Sequence, residues 1–488
     1  MKKTLILLLI WVVTLHSEAY GQKQFTFKDG KFKIVQFTDI HWMPNSANSS
    51  QTTTTIQSVL KSEMPDLAIL TGDIVTGDPA LDGWKSVISI FENAKTPFTV
   101  TMGNHDPEHL IKDDMYDLLL KSPYYIGDKG PKDIMGMGNN VISIYNSKND
   151  IAALLYCFDS NDYTPENNYG HYDWIHFNQI EWYRKQSTQF TQNNGGSPIP
   201  SLAFFHIPLL EYNNVVGRET TFGKKLESGV SSPTINSGLF NAFIDMQDVM
   251  GVFAGHDHNN DYIGMEYDIA LGYGRVTGTD AYGSLERGGR IIEIFEGKPQ
   301  FDTWIVTPSG NEDTYHYPSG ITSFDEKTMT YLPAKNVKPK AQGVAYTYYE
   351  GKFKMTNQVT SGKKVKEGNM RNFSIKEAPI KDHFGYDFRT QIKIPEKGVY
   401  RFYTISDDGS KLFIDGQEIV DNDGGHSSRR REGKVALDAG FHDLQVLYYE
   451  DYMGQELEVG FSSRDILETS LPDEILYIPE KIAPKDDN

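Results

Sequence analysis

The sequence predicts an α/β domain followed by an all-β sandwich. Three observations carry that expectation. Up to about Val306, short apolar runs alternate with segments of helical spacing. Beyond a proline-rich stretch, the pattern changes to strict alternation interrupted by Asp- and Gly-rich turns. The 488 residues also exceed the roughly 250–300 at which one hydrophobic core stops growing, so at least two domains are needed.

In the first half, Lys33–Thr38 reads as a strand. Thr53–Glu63 has helical spacing, with Ile56, Val59 and Leu60 on one side. Leu67–Thr71 is an apolar strand. Trp84–Asn93 is helical, with Trp84, Val87, Ile88 and Phe91 at i, i+3, i+4 and i+7. Phe98–Met102, Leu202–Phe205 and Val252–Ala254 continue the strands. Strands this apolar suit a sheet covered on both faces. The insert from Tyr124 to Pro200 is rich in Asn, Gly and Tyr and gives no clear order. Within it, Cys157 reads as a small apolar residue of a buried strand.

Four prolines (Pro308, Pro318, Pro333 and Pro339) mark 308–340 as a linker. The second half then alternates in Phe388–Ile394, Tyr400–Ile405, Lys411–Ile414 and Leu444–Tyr448. Asp407-Asp408-Gly409, Asp415-Gly416 and Asp438-Ala439-Gly440 fall between these strands, as in a β-sandwich. The expected boundaries are 1–21, 22–307, 308–340, 341–470 and a tail at 471–488.

The first 21 residues read as a signal peptide. Lys2 and Lys3 precede an apolar stretch from Leu5 to Leu15, and small residues follow near Ala19 and Gly21. That stretch is shorter than the roughly 20 residues that span a bilayer. A secreted, periplasmic or cell-surface protein with no transmembrane segment after cleavage is therefore expected. No cysteine lies at the cut, so no lipid anchor is expected. The single cysteine excludes a disulfide framework. The net charge of −19 argues against nucleic-acid binding, which needs a surplus of Lys and Arg. It leaves a phosphorylated substrate open, because a bound cation can supply local positive charge.

The polar residues that need explaining follow the apolar strands: Asp39-x-His41, Gly72-Asp73, Gly103-Asn104-His105-Asp106, His206 and Gly255-His256-Asp257-His258. Open α/β sheets bind ligands at the carboxyl ends of their strands, so five such loops would converge on one cleft. Asp offers hard oxygen that can bridge two ions, and His offers nitrogen suited to Zn, Fe or Mn.

This ordered set closely resembles the calcineurin-like metallophosphoesterase family over about residues 31–306. Phe204-Phe205-His206-Ile207-Pro208 and Gly255–Tyr262 resemble the branch of purple-acid-phosphatase relatives. The Tyr ligand of the purple enzymes, three residues after the bridging Asp, is replaced here by Thr76, so the protein should not be purple. The resemblance implies a metallophosphoesterase sandwich with a strand-end dimetal site. Asp39, His41 and His258 would bind one metal, Asn104, His206 and His256 the other, and Asp73 would bridge. The ions would be Fe, Zn or Mn. His105 would act on the leaving-group oxygen, with Asp106 orienting it. The implied reaction is hydrolysis of phosphomonoesters or phosphodiesters through in-line attack by a metal-bound hydroxide. Asn104 and Arg275 are the candidate substrate contacts, and Tyr172-Asp173-Trp174 a candidate cleft rim.

Residues 341–465 resemble the protective-antigen-type β-sandwich module. The likeness is carried by Gly398–Phe402, Ser406–Gly416, Asp421–His426 and Leu437–His442. It implies binding to carbohydrate such as cell-wall glycan, with Asp407 and Asp408 as candidate Ca²⁺ ligands. Hard carboxylate oxygens suit that ion. His426 and Arg429-Arg430-Arg431 are candidate anion or glycan contacts. The expected partners are a phosphate ester, a phosphorylated glycan or a polysaccharide. The rival expectation is a non-catalytic glycan-binding protein carrying a silent phosphoesterase fold.

Overall fold

The computed structural model describes residues 24–165, 168–218, 220–339 and 341–478. The expected signal segment 1–21 lies outside the described residues.

The first domain is built on two facing sheets. One orders its strands Phe25–Thr26, Asn140–Tyr145, Ile151–Cys157, Ser201–Phe204, Val249–Ala254, Ile269–Tyr273 and Ile263–Glu266. The other runs Ile321–Thr322, Tyr315–Tyr317, Phe301–Thr307, Gly289–Phe295, Lys31–Phe37, Leu67–Thr71 and Phe98–Thr101. Alternate residues of each strand serve different layers, because successive side chains point to opposite faces. Phe32 and Ile34 pack between the sheets with Leu155, Cys157 and Phe204. Val35 and Phe37 turn outward to meet Ile56 and Val59 of helix Ser49–Glu63 and Trp84 and Val87 of helix Ala80–Ala94. On the far side, Tyr156 and Ala203 meet Ile180 and Tyr183 of helix Phe177–Asn193 and Phe243 of helix Leu239–Met246. The architecture is helix, sheet, sheet, helix. The insert that the sequence left unordered supplies two strands and one covering helix. Cys157 is fully buried between the sheets.

The 308–340 stretch is not the linker that its prolines suggested. Gly310–Asn311, Tyr315–Tyr317 and Ile321–Thr322 extend the second sheet, and Ser323–Thr328 is a short helix. Proline breaks a periodic pattern, but it is tolerated beside edge strands and turns, where no ladder N–H is lost. Downstream, Leu332 and Lys335 already pair with Leu437 and Phe441 of the second domain.

The second domain is an antiparallel sandwich. One sheet orders Lys363–Met370, Val344–Glu350, Phe384–Ile394, Gly440–Glu450, Ser410–Ile414 and Gln417–Asn422. The other orders Arg429–Leu437, Gly398–Asp407, Glu456–Ser463 and Thr469–Ser470. Phe388, Tyr400, Phe402, Leu412, Val446 and Phe461 fill the space between them. The expected tail starts too early. Leu471 and Leu476 are buried in this core, and Leu476–Tyr477 pairs with Phe384–Ile394.

Candidate dimetal centre

Every residue expected as a ligand sits on a loop at the carboxyl end of a strand, and the five loops come from both sheets. The first two loops are tied together: Asp39 N–H donates to Gly72 O at 3.1 Å and His41 N–H to Asp73 O at 2.9 Å. Asp39, His41, Asp73 and His256 all hold left-handed backbone angles, with φ of 51°, 42°, 50° and 78°. Non-glycine residues adopt that region at a cost, and such outliers gather at functional sites. Gly72 has a φ of 80°, and a Cβ there would strike the His206 ring. A Cβ at Gly103 would strike Asp73. Both glycines therefore allow backbone to pass directly behind a candidate ligand.

The side chains form two groups that share one residue. Asp39, His41, Asp73 and His258 place ligand atoms within 4.8 Å of one another, and so do Asp73, His206 and His256. Asp73 thus stands where a bridging carboxylate would. Asp39 Oδ1 lies 3.2 Å from His258 Nε2, Asp73 Oδ2 lies 3.2 Å from His206 Nε2, and Asp73 Oδ2 lies 3.6 Å from His41 Nε2. Ligand atoms about 2.0–2.2 Å from one ion are separated by roughly this much. His41 Nε2, Asn104 Oδ1 and His256 Nε2 are buried without a hydrogen-bond partner among the described residues. Buried polar atoms are seldom left this way, so the donor set fits two cations.

Neighbouring groups aim these ligands. His206 Nδ1 lies 2.8 Å from Thr71 O and His258 Nδ1 lies 3.2 Å from Tyr282 O. In each ring this turns Nε2 toward a candidate ligand carboxylate, the atom that would meet a cation once it has lost its proton. The Thr38 hydroxyl is 2.8 Å from Asp39 Oδ2. Asn104 donates its amide N–H to Tyr163 Oη at 2.7 Å, leaving the amide oxygen for a cation.

Burial alone would raise the Asp39 carboxyl, but the charge and hydrogen bond of His258 outweigh it and hold the group at about 2. Burial pushes His41 down to about 4. Burial also depresses His256, to about 3, with positive His206 adding to the effect. His206 goes the other way, to about 10, because the attraction of Asp73 overcomes its burial. His41 and His256 are thus neutral donors at neutral pH, while His206 and Asp73 neutralise each other.

His105 is partly exposed beside the ligands, its ring 5.6 Å from that of His41. Its backbone N–H donates to Asp73 Oδ1 at 2.9 Å. Asp106 does not orient this ring, contrary to the expectation. Its Oδ1 accepts from Ile74 N at 2.7 Å and Val75 N at 3.1 Å, and its Oδ2 from Gly103 N at 2.8 Å. Asp106 therefore clamps the Asp73 loop to the Asn104 loop. The group on His105 is Glu108, whose Oε1 lies 2.8 Å from Nδ1. A short 3-10 turn, Asp106–Glu108, with Pro107 in it, brings positions 105 and 108 together. That His-x-x-Glu spacing was the available signal for Glu108. Nothing in the sequence marked Tyr163.

A calcineurin-like phosphoesterase model matches residues 32–260, and a PA14 domain model matches residues 340–474. The "Probable inactive purple acid phosphatase 29" of Arabidopsis thaliana is 32% identical over 316 residues, 58% of this chain and 81% of that protein. The chain belongs to the calcineurin-like phosphoesterase family. "Phosphatase DCR2" of Saccharomyces cerevisiae is 32% identical over 333 residues, covering 60% of this chain and 56% of its own length. A solved dimetal phosphatase from Danio rerio is 11% identical, with a TM-score of 0.42 over 58% of this chain and 98% of its own.

Arg275 is not a substrate contact in this phosphoesterase domain. It is fully buried, forming ion pairs with Asp261 and, at 2.6 Å, with Glu312, and donating to Glu286 O at 2.9 Å. A guanidinium so committed holds the fold together, and its one unpartnered nitrogen, Nε, is buried out of reach of a substrate. Tyr172 does lie at the cleft, its ring 4.5 Å from that of His256. Asp173 instead faces His176 at 3.0 Å.

In the PA14 domain, Asp407 and Asp408 are joined by Glu450, a residue the sequence did not single out. Their ligand atoms all lie within 4.8 Å. Asp408 accepts from His426 N at 3.0 Å and Asp451 N at 2.9 Å. Glu450 Oε1 is buried without a partner among the described residues. Its own burial and the charges of Asp408 and Asp407 push the Glu450 carboxyl up to about 8. The expected glycan contacts farther along are occupied. Arg429 donates to Asn422 Oδ1 at 2.8 Å, and Arg430 pairs with Glu432 at 2.9 Å and Glu468 at 2.8 Å. The His426 ring nitrogens face the carbonyls of Ser427 and Asn422 at 2.9 and 3.0 Å.

Proposed function

We propose that the protein is an exported two-metal phosphoesterase that hydrolyses phosphate esters and is held near glycan by its PA14 domain. One observation carries the catalytic part. Six candidate ligands gather in two groups that share Asp73, with His105 beside them. Two cations bound there would supply Lewis acidity to the phosphate and acidify a water. The chain's own residues do the rest. Asn104 presents its amide oxygen, Tyr163 fixes that amide, and His105 gives a proton to the departing ester oxygen. Glu108 holds Nδ1 of His105 so that Nε2 faces the cleft. Proton donation of this kind contributes about 10²–10⁴-fold.

The names of the relatives point both ways, one reading inactive and another phosphatase. The residues favour activity, since a silent fold has no use for a full ligand set in strained backbone. The test is metal content together with phosphate release from monoesters and diesters, in full-length protein loaded with Mn, Zn or Fe. Two ions per chain and metal-dependent turnover are expected. Stoichiometric metal with no release from any ester would leave the binding-protein reading standing.

Export follows from the N-terminal pattern, and detection of the processed chain outside the cytoplasm tests it. The carboxylate cluster supports Ca²⁺ in the PA14 domain, where the ion would meet sugar hydroxyls. Ca²⁺-dependent retention on a polysaccharide column should be lost in Asp408→Asn. Equal retention in EDTA would reject that role.

A further inference from the structure

Three tyrosines that the proposed chemistry leaves unused or uses only for support stand over the candidate ion positions. Tyr282 stacks on the ring of His258 at 3.9 Å and 25°, yet is 57% exposed, so one face is covered and the other open. Tyr172 sets its ring against His256 at 4.5 Å. Tyr163 lies 6.3 Å from His105 and 6.1 Å from Tyr172, nearly parallel to the latter at 28°. His258 belongs to one ligand group and His256 to the other, so the rings bracket the pair. A phosphate seated between the groups would hold its alcohol among these rings, next to His105.

The charge at this rim is as telling as its shape. Lys112 and Arg287 both have partners within the chain. Lys112 is held by Asp159 at 2.9 Å and Asp162 at 2.8 Å, and Arg287 donates to Leu285 O at 2.8 Å and Tyr282 O at 3.2 Å. Lys112, paired with two carboxylates, has no charge to spare for a second phosphate on the substrate, and Glu108 would repel one. The rim offers ring faces, phenolic hydroxyls, the His171 imidazole beside Tyr163 and Tyr172, and the Glu108 carboxylate. Flat apolar faces with hydroxyls and an acceptor nearby match a pyranose ring, which has C–H faces and an equatorial rim of hydroxyls.

We infer that Tyr163, Tyr172 and Tyr282 determine specificity and that the substrate class is the monophosphate ester of a cyclic polyol, a sugar phosphate. The inference rests on the phosphoesterase reading and deepens it.

The test uses metal-loaded full-length protein and the kcat/KM values for glucose 6-phosphate, glycerol 3-phosphate and ADP. The first two leave as comparable alkyl alcohols, so their ratio reports recognition of the ring. That ratio should be about tenfold or more, and ADP should not exceed glycerol 3-phosphate. Losing one stacked ring costs about threefold to tenfold. Tyr172→Leu and Tyr282→Leu should therefore each lower the ratio by that factor. Tyr282→Phe, which keeps the ring, should retain the ratio and guard against a mere folding defect. Tyr267→Leu, on the exposed turn after strand Ile263–Glu266, should not move it. A ratio near one in the parent protein, a ratio unchanged in both Leu variants, or a preference for ADP would overturn the inference and leave the phosphoesterase reading intact. Failure to hydrolyse any ester would overturn both.

Discussion

The two domains each gather buried carboxylates at the carboxyl ends of strands, but they balance that charge differently. In the first, histidines share the site, and protonated His206 neutralises Asp73 before any metal arrives. In the second, Asp407, Asp408 and Glu450 meet one another, and Glu450 is driven to keep its proton. The mixed nitrogen and oxygen set suits Zn, Fe or Mn, and the all-oxygen set suits Ca²⁺. The first group of carboxylates is thus balanced by the chain's own side chains, whereas in the second like charges face one another.

The sharpest way to break this comparison is at Asp73, the residue common to both ligand groups. Asp73→Asn should lower phosphate release by at least about 10³-fold and remove at least one metal ion per chain. Full metal content with undiminished turnover would dissolve the picture of a shared centre. His105→Ala should keep both ions by elemental analysis yet slow turnover by about 10²-fold or more. Glu108→Gln weakens the hold on that ring, so a loss of about tenfold is expected, greatest for esters with poor leaving groups. Asp106→Asn should fall elsewhere, lowering thermal stability by about 1–3 kcal/mol as the clamp between loops weakens. A loss in turnover without a loss in stability would return Asp106 to the role the sequence suggested.

Calcium sharpens the second half of the comparison by a smaller amount. The folded pKa of Glu450, about 8, lies above its ordinary value of 4.5. Its protonated form is therefore favoured by folding. The metal-free domain should be most stable below about pH 4.5 and lose stability as pH rises toward 8. Calcium reverses that slope by favouring the ionised carboxylate. The shift in melting temperature between Ca²⁺ and EDTA should widen from pH 5 to pH 8 and vanish in Glu450→Gln. A shift independent of pH would remove Glu450 from the site.

The contrast also explains what the sequence could reveal. The strand-end loops were legible because burial on both faces leaves continuous apolar runs, so Asp39, Asp73 and His206 stand out as polar residues at their ends. Glu108 was overlooked because Asp106, next to His105, was the obvious partner; a 3-10 turn decides otherwise. Glu450 was invisible because it lies on a strand of the opposite sheet from Asp407, and only the packing of the sandwich brings them together. Arg275 misled for the opposite reason: a glycine-rich neighbourhood resembles a phosphate loop, while its partners Asp261 and Glu312 are set by tertiary packing. The strands at 310–322 were hidden by prolines that serve as edge punctuation.

Four of the ligand positions hold left-handed backbone, a region that Asp and His enter more readily than most residues with a Cβ and that glycine enters freely. The phosphoesterase domain therefore concentrates what backbone strain these residues carry in the loops that aim its candidate ligands. A chain with no use for these side chains could place Gly or Asn at positions 39, 41, 73 and 256 and relax that backbone. This chain has kept Asp and His there.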